Sequence, residues 1–383
     1  MAISLLSRVH HSFYPTPTNR YILGEIMNLS KRNRIALSFV IVALSTGIII
    51  GFIVNSVITH RVIYETQERV KEALNGARWL YTAKISEIDR AIYLTSLRYI
   101  LRGALEKEKV FLIRGDMKRL IADYGFDFLT LVDKNGTVLL RFHNPALSGD
   151  SLMKDPFIRE ALKNRGISGT QVLSRPELLK EGELLADRAA FNLIPTPREK
   201  PTEELTESSG MVLKSAHPIL DANGEVLGAL MGGVLLNRNY EMVDRIKSIL
   251  FKDAKYKGKE IGTATIFLGD LRISTNVIDR EGNRAIGTRA MKEVEERVLG
   301  KGLPWIQRAF VVDDWYITAY EPIRDIHDKI VGMLYVGILE NKYMLKERLI
   351  LLFMLGMLIA VTISTLLCFK ILDKEFWADI HTD

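Results

Sequence analysis

The sequence is poor in cysteine and has none of the short motifs that mark common enzyme classes. Its single cysteine, Cys368, excludes an intrachain disulfide, and we interpret it as a small apolar residue rather than a redox group. There is no GxxxxGK[ST] loop, no HExxH motif and no set of kinase motifs. The seven histidines are scattered, without metal-ligand spacing. We therefore predict no catalytic residues, no metal site and no cofactor, and a protein that is not an enzyme.

Charged residues are also absent from two long stretches, 35–58 and 349–369. Each stretch is as long as the roughly 20 apolar residues that a membrane-spanning helix needs, and a core helix rarely stays uncharged on every face. We therefore predict transmembrane helices at 35–58 and 348–370. The first stretch is longer than the apolar region of a usual signal peptide, and no clear small-residue cleavage site follows it. We favour an uncleaved anchor over a signal peptide.

The orientation of these helices is predicted from the basic residues that flank them. The basic residues directly before the first stretch are Lys31, Arg32 and Arg34. Because cytoplasmic flanks are rich in lysine and arginine, we expect 1–34 and the tail 371–383 to be cytoplasmic and 59–347 to be periplasmic, in a two-pass protein of the inner membrane. Much of the net charge of +6 lies in the N-terminal segment, so it does not indicate nucleic-acid binding.

A helical pattern follows the first predicted span. Apolar residues recur at steps of three and four from 59 to about 105. They include Val70, Leu74, Ala77, Tyr81 and Ile85. We assign 59–113 to one long extracytoplasmic helix, in which Gly76 and Gly103 are the places where the helix would bend or end.

Two hairpin patterns, at 211–236 and 315–340, match each other residue by residue. The matching residues are Pro218 and Pro322, Ile219 and Ile323, Gly228 and Gly332, and Gly233 and Gly337, each pair separated by 104 positions. One constant offset across a whole hairpin predicts two copies of one module. We place them at 114–240, far from the membrane, and at 241–347, next to it, each with a sheet of about five strands and helices on its faces.

Longer stretches carry a resemblance to a known family. They are LADRAAFNLIPTP (185–197), GALMGGVLLNRNYEMVDRIK (228–247), GTATIFLGDLRISTNV (262–277), GNRAIGT (282–288) and AFVVDDWYITAYEPI (309–323). With the repeat, they resemble double Cache domains, the extracytoplasmic PAS-like sensor domains of bacterial sensor histidine kinases and methyl-accepting chemotaxis receptors. The resemblance covers about 59–343. It implies an α+β fold of two tandem PAS-like (Cache) modules on a long N-terminal helix, flanked by two transmembrane helices.

The resemblance also implies a function, which is ligand sensing for two-component or chemotaxis signalling. Only 371–383 follow the second predicted span, so we expect the output module to lie in a longer protein or in a separate partner. Gly356, Ala360 and Ser364 recur every fourth position, which suits close packing of spans in a homodimer but is also common by chance. The alternative function is a membrane-anchored solute-binding protein that acts with a separate transporter or kinase partner.

Candidate ligand-binding residues are large polar side chains on strands, because pockets in such modules lie between the sheet and its covering helices and loops. In the first module they are Arg141, His143, Arg188 and His217. In the second they are Arg272, Thr275, Asn276, Arg284, Trp305, Arg308, Tyr316 and Tyr320; for Trp315, simple packing is the favoured interpretation. Arginine beside aromatic rings suits a small carboxylate. A structural ion pair or a core aromatic is the competing interpretation of each residue, and the pattern leaves open which module binds the ligand.

Overall fold

The computed structural model describes residues 31–107, 113–256, 258–340, 352–353, 355–357, 359–364 and 367. The chain divides into two units. One is Ile63–Lys342, and the other combines Met1–Val62 with Tyr343–Asp383. Among the described residues, no helix has a stretch that is both long and apolar enough for a membrane span. The predicted span at 348–370 and the side chains of the predicted span at 35–58 lie partly outside the described residues.

The secondary structure alternates short helices and strands after one long helix. The helices are α1 (Lys31–Ser96), α2 (Tyr99–Glu106), α3 (Arg114–Tyr124), α4 (Pro156–Ala161), α5 (Arg175–Glu181), α6 (Glu183–Ala189), α7 (Glu241–Phe251) and α8 (Lys292–Glu295), the last followed by a π-helical turn at Glu296–Gly300. The strands are β1 (Phe128–Asp133), β2 (Val138–Arg141), β3 (Ile167–Leu173), β4 (Phe191–Asn192), β5 (Thr206–Glu207), β6 (Gly210–Leu220), β7 (Val226–Leu235), β8 (Lys255–Tyr256), β9 (Lys259–Glu260), β10 (Gly262–Leu268), β11 (Leu271–Thr275), β12 (Trp305–Val311), β13 (Asp314–Arg324) and β14 (Ile330–Leu339).

The long helix α1 ends earlier than the sequence pattern predicts. The pattern continues to about residue 105, but α1 stops at Ser96, and neither Gly76 nor Gly103 ends it. Two features explain the end. Thr95 Oγ1 donates to the carbonyl of Ala91 at 2.6 Å, and Arg98 has an extended backbone (φ −67°, ψ 130°) before α2 begins. The apolar periodicity survives the break because α2 presents its own buried face to the same core.

Two five-stranded sheets form the body of Ile63–Lys342. Their strand orders are β2-β1-β7-β6-β3 and β11-β10-β14-β13-β12, and neighbouring strands are antiparallel throughout. When the strands of each sheet are numbered along the chain, both orders become 2-1-5-4-3. The two halves therefore share one topology, as the internal repeat predicts.

The register of the two central hairpins confirms the repeat in detail. The equivalent pairs are Ile219 with Gly228 and Ile323 with Gly332, and a bulge follows directly in each hairpin. A Cβ on Gly228 would collide with the carbonyl oxygen of Val132, and one on Gly332 would collide with that of Phe267. Glycine is required at both positions because the neighbouring backbone passes too close for any side chain.

Each sheet is covered on two faces, and this arrangement positions the site. In the first module, α1 lies against one face, where Ile92 approaches Gly232 and the Tyr81 hydroxyl contacts Thr170 Oγ1 at 2.8 Å. The other face packs against α4, α5 and α6, with Phe157 in the centre of that core. In the second module the core lies between the sheet and α8. Two separate cores are expected when each module buries its own apolar face.

Candidate ligand-binding site

Arg141, at the end of β2, is the centre of a buried charge cluster in the first module. Its side chain is fully buried, and its guanidinium donates to both carboxylate oxygens of Asp150, at 2.6 and 3.0 Å. Its Nε donates to Glu181 Oε1 at 3.0 Å, and Thr130 Oγ1 donates to the other oxygen of Glu181 at 2.6 Å. Charge-assisted bonds of this kind are strong and fix the geometry of the groups.

A second buried base, Lys214, lies on β6 of the same sheet. Only 1% of its side chain is exposed. Its Nζ donates to Asp155 and, at 3.0 Å, to Gln171 Oε1, and it lies 4.8 Å from the ring centre of Phe157. Asp155 is itself the N-cap of α4, since its Oδ1 accepts from the Phe157 backbone N–H at 2.9 Å. The ion pair therefore joins the sheet to the start of a helix.

These two bases line one cavity of about 230 Å³ between the sheet and the helices that cover it. Polar side chains of Asp155, Gln171, Lys180 and Glu181 also line the cavity. The cavity is smaller than the roughly 300–1,000 Å³ of pockets that take drug-sized molecules. It therefore suits a ligand of a few heavy atoms that carries a charge, and we regard it as the candidate ligand-binding site.

The basic neighbours of Asp150 keep its carboxyl group in the charged form. The hydrogen bonds from Arg141 lower the pKa of Asp150 to about 2, burial acts in the opposite direction, and Lys180 adds to the lowering. Asp150 is therefore a carboxylate at every physiological pH, so both oxygens stay available as acceptors for Arg141. A ligand that draws Arg141 away from Asp150 must replace a strong interaction.

Of the four candidates in the first module, only Arg141 lines this cavity. His143 is exposed, and Arg188 forms an ion pair with Asp127 at 2.6 Å. His217 faces α1 on the opposite side of the sheet, where its Nε2 lies 2.8 Å from Asp89 Oδ1 and its ring lies 5.2 Å from that of Tyr93. Arg188 and His217 therefore have structural partners.

The candidates of the second module fall into a buried group and a peripheral group. The buried group is Arg272, Thr275, Asn276, Tyr316 and Tyr320. In the peripheral group, Arg284 pairs with both oxygens of Asp244 at 2.8 Å. Arg308 donates to Glu340 at 2.7 Å and lies 4.1 Å from the ring centre of Trp315. Trp305 is half-buried against the core.

Sequence reasoning missed most of the residues around Arg141. They are Lys214, Asp150, Asp155, Gln171 and Glu181. Two signals were present. Lys214 interrupts an apolar run in a strand, which is unusual for a lysine, and Asp155 followed by Pro156 is a helix-start pattern that fixes the position of a carboxylate. Nothing in the sequence showed that these residues meet.

A family comparison agrees with the fold of the second module. Residues 234–348 match the family model described as single Cache domain 3. This part of the chain is therefore similar to a Cache-type sensor domain. No curated protein matches the chain significantly in sequence.

Solved structures give weaker likenesses. The periplasmic domain of Vibrio cholerae LuxQ is 13% identical, with a TM-score of 0.41, and the match covers 70% of this chain and 98% of that one. The sensor domain of the V. cholerae histidine kinase DctB is 11% identical, with a TM-score of 0.41 and coverages of 73% and 98%. The ligand-binding domain of the Campylobacter jejuni chemoreceptor Tlp3, in complex with L-valine, is 10% identical, with a TM-score of 0.38 and coverages of 76% and 97%. These likenesses are too weak to assign a ligand.

The Arg141–Asp150 pair predicts a specific pH dependence of stability. The pKa of Asp150 lies below its ordinary value of 3.8, at about 2. Its contribution of about 2 kcal/mol to the free energy of unfolding is therefore complete above pH 4 and is lost as the pH falls towards 2. Asp150→Asn should lower the free energy of unfolding by roughly that amount at pH 7. The difference in free energy of unfolding from wild type should shrink between pH 4 and pH 3, measured by urea unfolding.

Asp187→Asn, which breaks an exposed pair with Arg175, is the control and should lower the free energy of unfolding by less than about 1 kcal/mol. A difference for Asp150→Asn that does not change with pH contradicts the assignment.

Proposed function

We propose that the chain is the ligand-sensing input region of a transmembrane receptor of the histidine-kinase or chemoreceptor type. The observation that carries the proposal is the charged cavity around Arg141 and Lys214, buried inside one of two modules that share a single topology. The match of residues 234–348 to a sensor family supports the same conclusion.

The ligand class that fits the cavity is a small carboxylate. Arg141 offers a planar pair of donors, and Lys214 offers a point charge on the adjacent wall. Both bases already hold internal carboxylates, so binding is an exchange in which the ligand replaces Asp150 or Asp155. Replacing Asp155 releases the N-cap of α4, and replacing Asp150 releases the loop after β2. An exchange of this kind gives the ligand a different affinity for two conformations, which a sensor requires.

A chain of contacts leads from the cavity to the strand nearest the second predicted span. Gln171, which lines the cavity, lies on β3 with Gly169, and a Cβ on Gly169 would lie 2.7 Å from Ile326 Cγ2. Ile326, in the turn between β13 and β14, packs against the first module's core. Beside it, Arg78 of α1 donates from Nε to both oxygens of Glu321, at 2.8 Å each. We propose that a shift of β3 on ligand binding moves the β13–β14 hairpin.

The membrane placement remains part of the proposal and is supported by the sequence. The uncharged stretches 35–58 and 349–369 would anchor the sensor on both sides, with modules outside the cytoplasm and the output in a cytoplasmic module or a separate partner. A homodimer would let spans move relative to one another. The alternative, a solute-binding protein that serves a transporter, requires binding but no ligand-induced change in β14.

A ligand screen with a matched pair of variants tests the function. We expect at least one small carboxylate or amino acid to raise the Tm of the full chain in lipid nanodiscs, because a ligand at 100 times its Kd adds about 2.7 kcal/mol. Lys214→Gln should weaken that ligand at least about tenfold. Arg175→Gln, an exposed basic residue of the same module, should bind as wild type does. The proposal is contradicted if every responding compound binds Lys214→Gln as tightly as wild type, or if no compound responds at millimolar concentration.

The coupling step is tested at Ile326. In wild type, the ligand found in the screen should change amide hydrogen exchange in 330–339. Ile326→Ala should abolish that change and leave the affinity within about threefold of wild type, because Ile326 does not line the cavity. Ile278→Ala, on the exposed surface of the second module, should keep the response. A response that survives in Ile326→Ala would exclude this route, and binding without any change in 330–339 of wild type would favour the solute-binding alternative.

The membrane placement is tested by labelling a single cysteine. After Cys368→Ser, we introduce Thr202→Cys at an exposed position of the first module. We expect a membrane-impermeant maleimide to label it in intact spheroplasts, since a module outside the cytoplasm is accessible without lysis. The Cys368→Ser parent should stay unlabelled. Labelling only after lysis rules out the proposed orientation.

A further inference from the structure

Three basic side chains are buried in the described part of the chain, and they differ in one respect. They are Arg141, Lys214 and Arg272. Arg141 and Lys214 each form ion pairs with carboxylates. Within the described residues, Arg272 forms no ion pair. A buried cation without an acid is costly, so the second module contains an imbalance that the first module does not.

The surroundings of Arg272 are aromatic. The side chain is 1% exposed and lies 5.0 Å from the ring centre of Phe267. The rings of Tyr320 and Tyr335 lie 4.7 Å apart, tilted by 48° to each other, next to Phe267. Aromatic faces attract a guanidinium but do not neutralise it, and burial lowers the pKa of Arg272.

The hydrogen bonding of Arg272 is incomplete. Its Nη1 donates to Thr288 Oγ1, and its Nε is buried with no hydrogen-bond partner in the described structure. Buried donors in native proteins are almost always paired. Arg272 Nε–H is therefore a buried donor without an acceptor in the described structure.

The repeat places Arg272 on the face that corresponds to the cavity face of the first module. Phe267 pairs with Arg272 in the second sheet, and Val132 pairs with Val138 in the first. The strand partners of Phe267 and Val132 in β14 and β7 are Met333 and Ala229, which differ by the same 104 positions. Val132 and Val138 belong to the core that packs on α4 to α6, the side that contains the first cavity. Arg272 therefore occupies, in the second sheet, the position that Val138 occupies in the first, on the corresponding face.

We propose that Arg272 anchors a second anion-binding site, in the core of the second module, for a small carboxylate. The carboxylate would accept from Nε and the adjacent guanidinium edge, with the rings of Tyr316, Tyr320 and Tyr335 as walls. Bidentate pairing of a planar carboxylate with a guanidinium matches the geometry of the free donors. The site does not depend on the first cavity, so either site can fail alone.

Ligand binding at this site would affect the first module through backbone hydrogen bonds. The loop that supplies Thr288 pairs with β11, since the Arg272 N–H donates to the Thr288 carbonyl at 2.8 Å. The same loop bonds to the segment after β4, where the Ile194 N–H donates to the Gly287 carbonyl at 2.8 Å. An anion at Arg272 would therefore act on a loop that forms backbone hydrogen bonds with both modules.

The test titrates the full chain in lipid nanodiscs with sodium formate, acetate, propionate and pyruvate, each against sodium chloride at equal ionic strength. We expect at least one of these carboxylates to give a saturable rise in Tm. The rise should persist in Lys214→Gln, which alters only the first cavity, and should need at least tenfold more ligand in Arg272→Met.

Arg272→Lys is a second test variant, which keeps the positive charge and removes the planar pair of donors. It should also weaken the response at least tenfold, and it replaces Arg272→Met as the deciding variant if that protein does not fold. Three results overturn the proposal. They are no carboxylate response in wild type, an unchanged response in the deciding Arg272 variant, and a response that is lost in Lys214→Gln.

Discussion

The pairing of the last strand of each sheet with its two neighbours is the constraint on which the rest of this structure depends. In both sheets a glycine of the last strand lies where a carbonyl oxygen of the first strand, that of Val132 in β1 or Phe267 in β10, leaves no space for a Cβ, so the last strand cannot slip by one residue along the first without a collision. A one-residue slip would also exchange the two faces of the strand. The fixed register puts Lys214 on the cavity side of the first sheet and Tyr320 on the corresponding side of the second.

The two modules share one topology but differ in the partners of their buried basic side chains. The first places Arg141 and Lys214 opposite carboxylates that belong to a helix cap, a loop and a helix end. Each ion pair therefore ties a different covering element to the sheet. The second encloses Arg272 in aromatic rings without an acid. The two interiors therefore differ: in the first the buried bases pair with acids, and in the second, within the described residues, Arg272 forms no ion pair.

Contacts between the modules connect the elements around the two candidate sites. The turn between β13 and β14 reaches the core of the first module through Ile326, and the loop before α8 pairs with the segment after β4. Both contacts start from elements that also line or support a candidate site. A packed contact changes in discrete steps rather than continuously, so a small displacement at β3 is not simply absorbed by the neighbouring side chains.

The sequence by itself determined the pattern of the fold, because that information is local or periodic. The constant offset of 104 residues predicted the repeat, apolar spacing predicted α1, and turn residues marked the hairpins. Local patterns did not predict α5 and α6, nor the end of α1 at Ser96, since each depends on caps and on contacts with distant strands. Of the cavity residues, only Arg141 was selected from the sequence. Its partner Glu181 is 40 residues away, and Asp155 is 59 residues from Lys214. Which charges meet, and which buried base is left without an acid, was decided only by the tertiary structure, because the partner of a charge is fixed by the packing of sheets against helices and not by its neighbours along the chain.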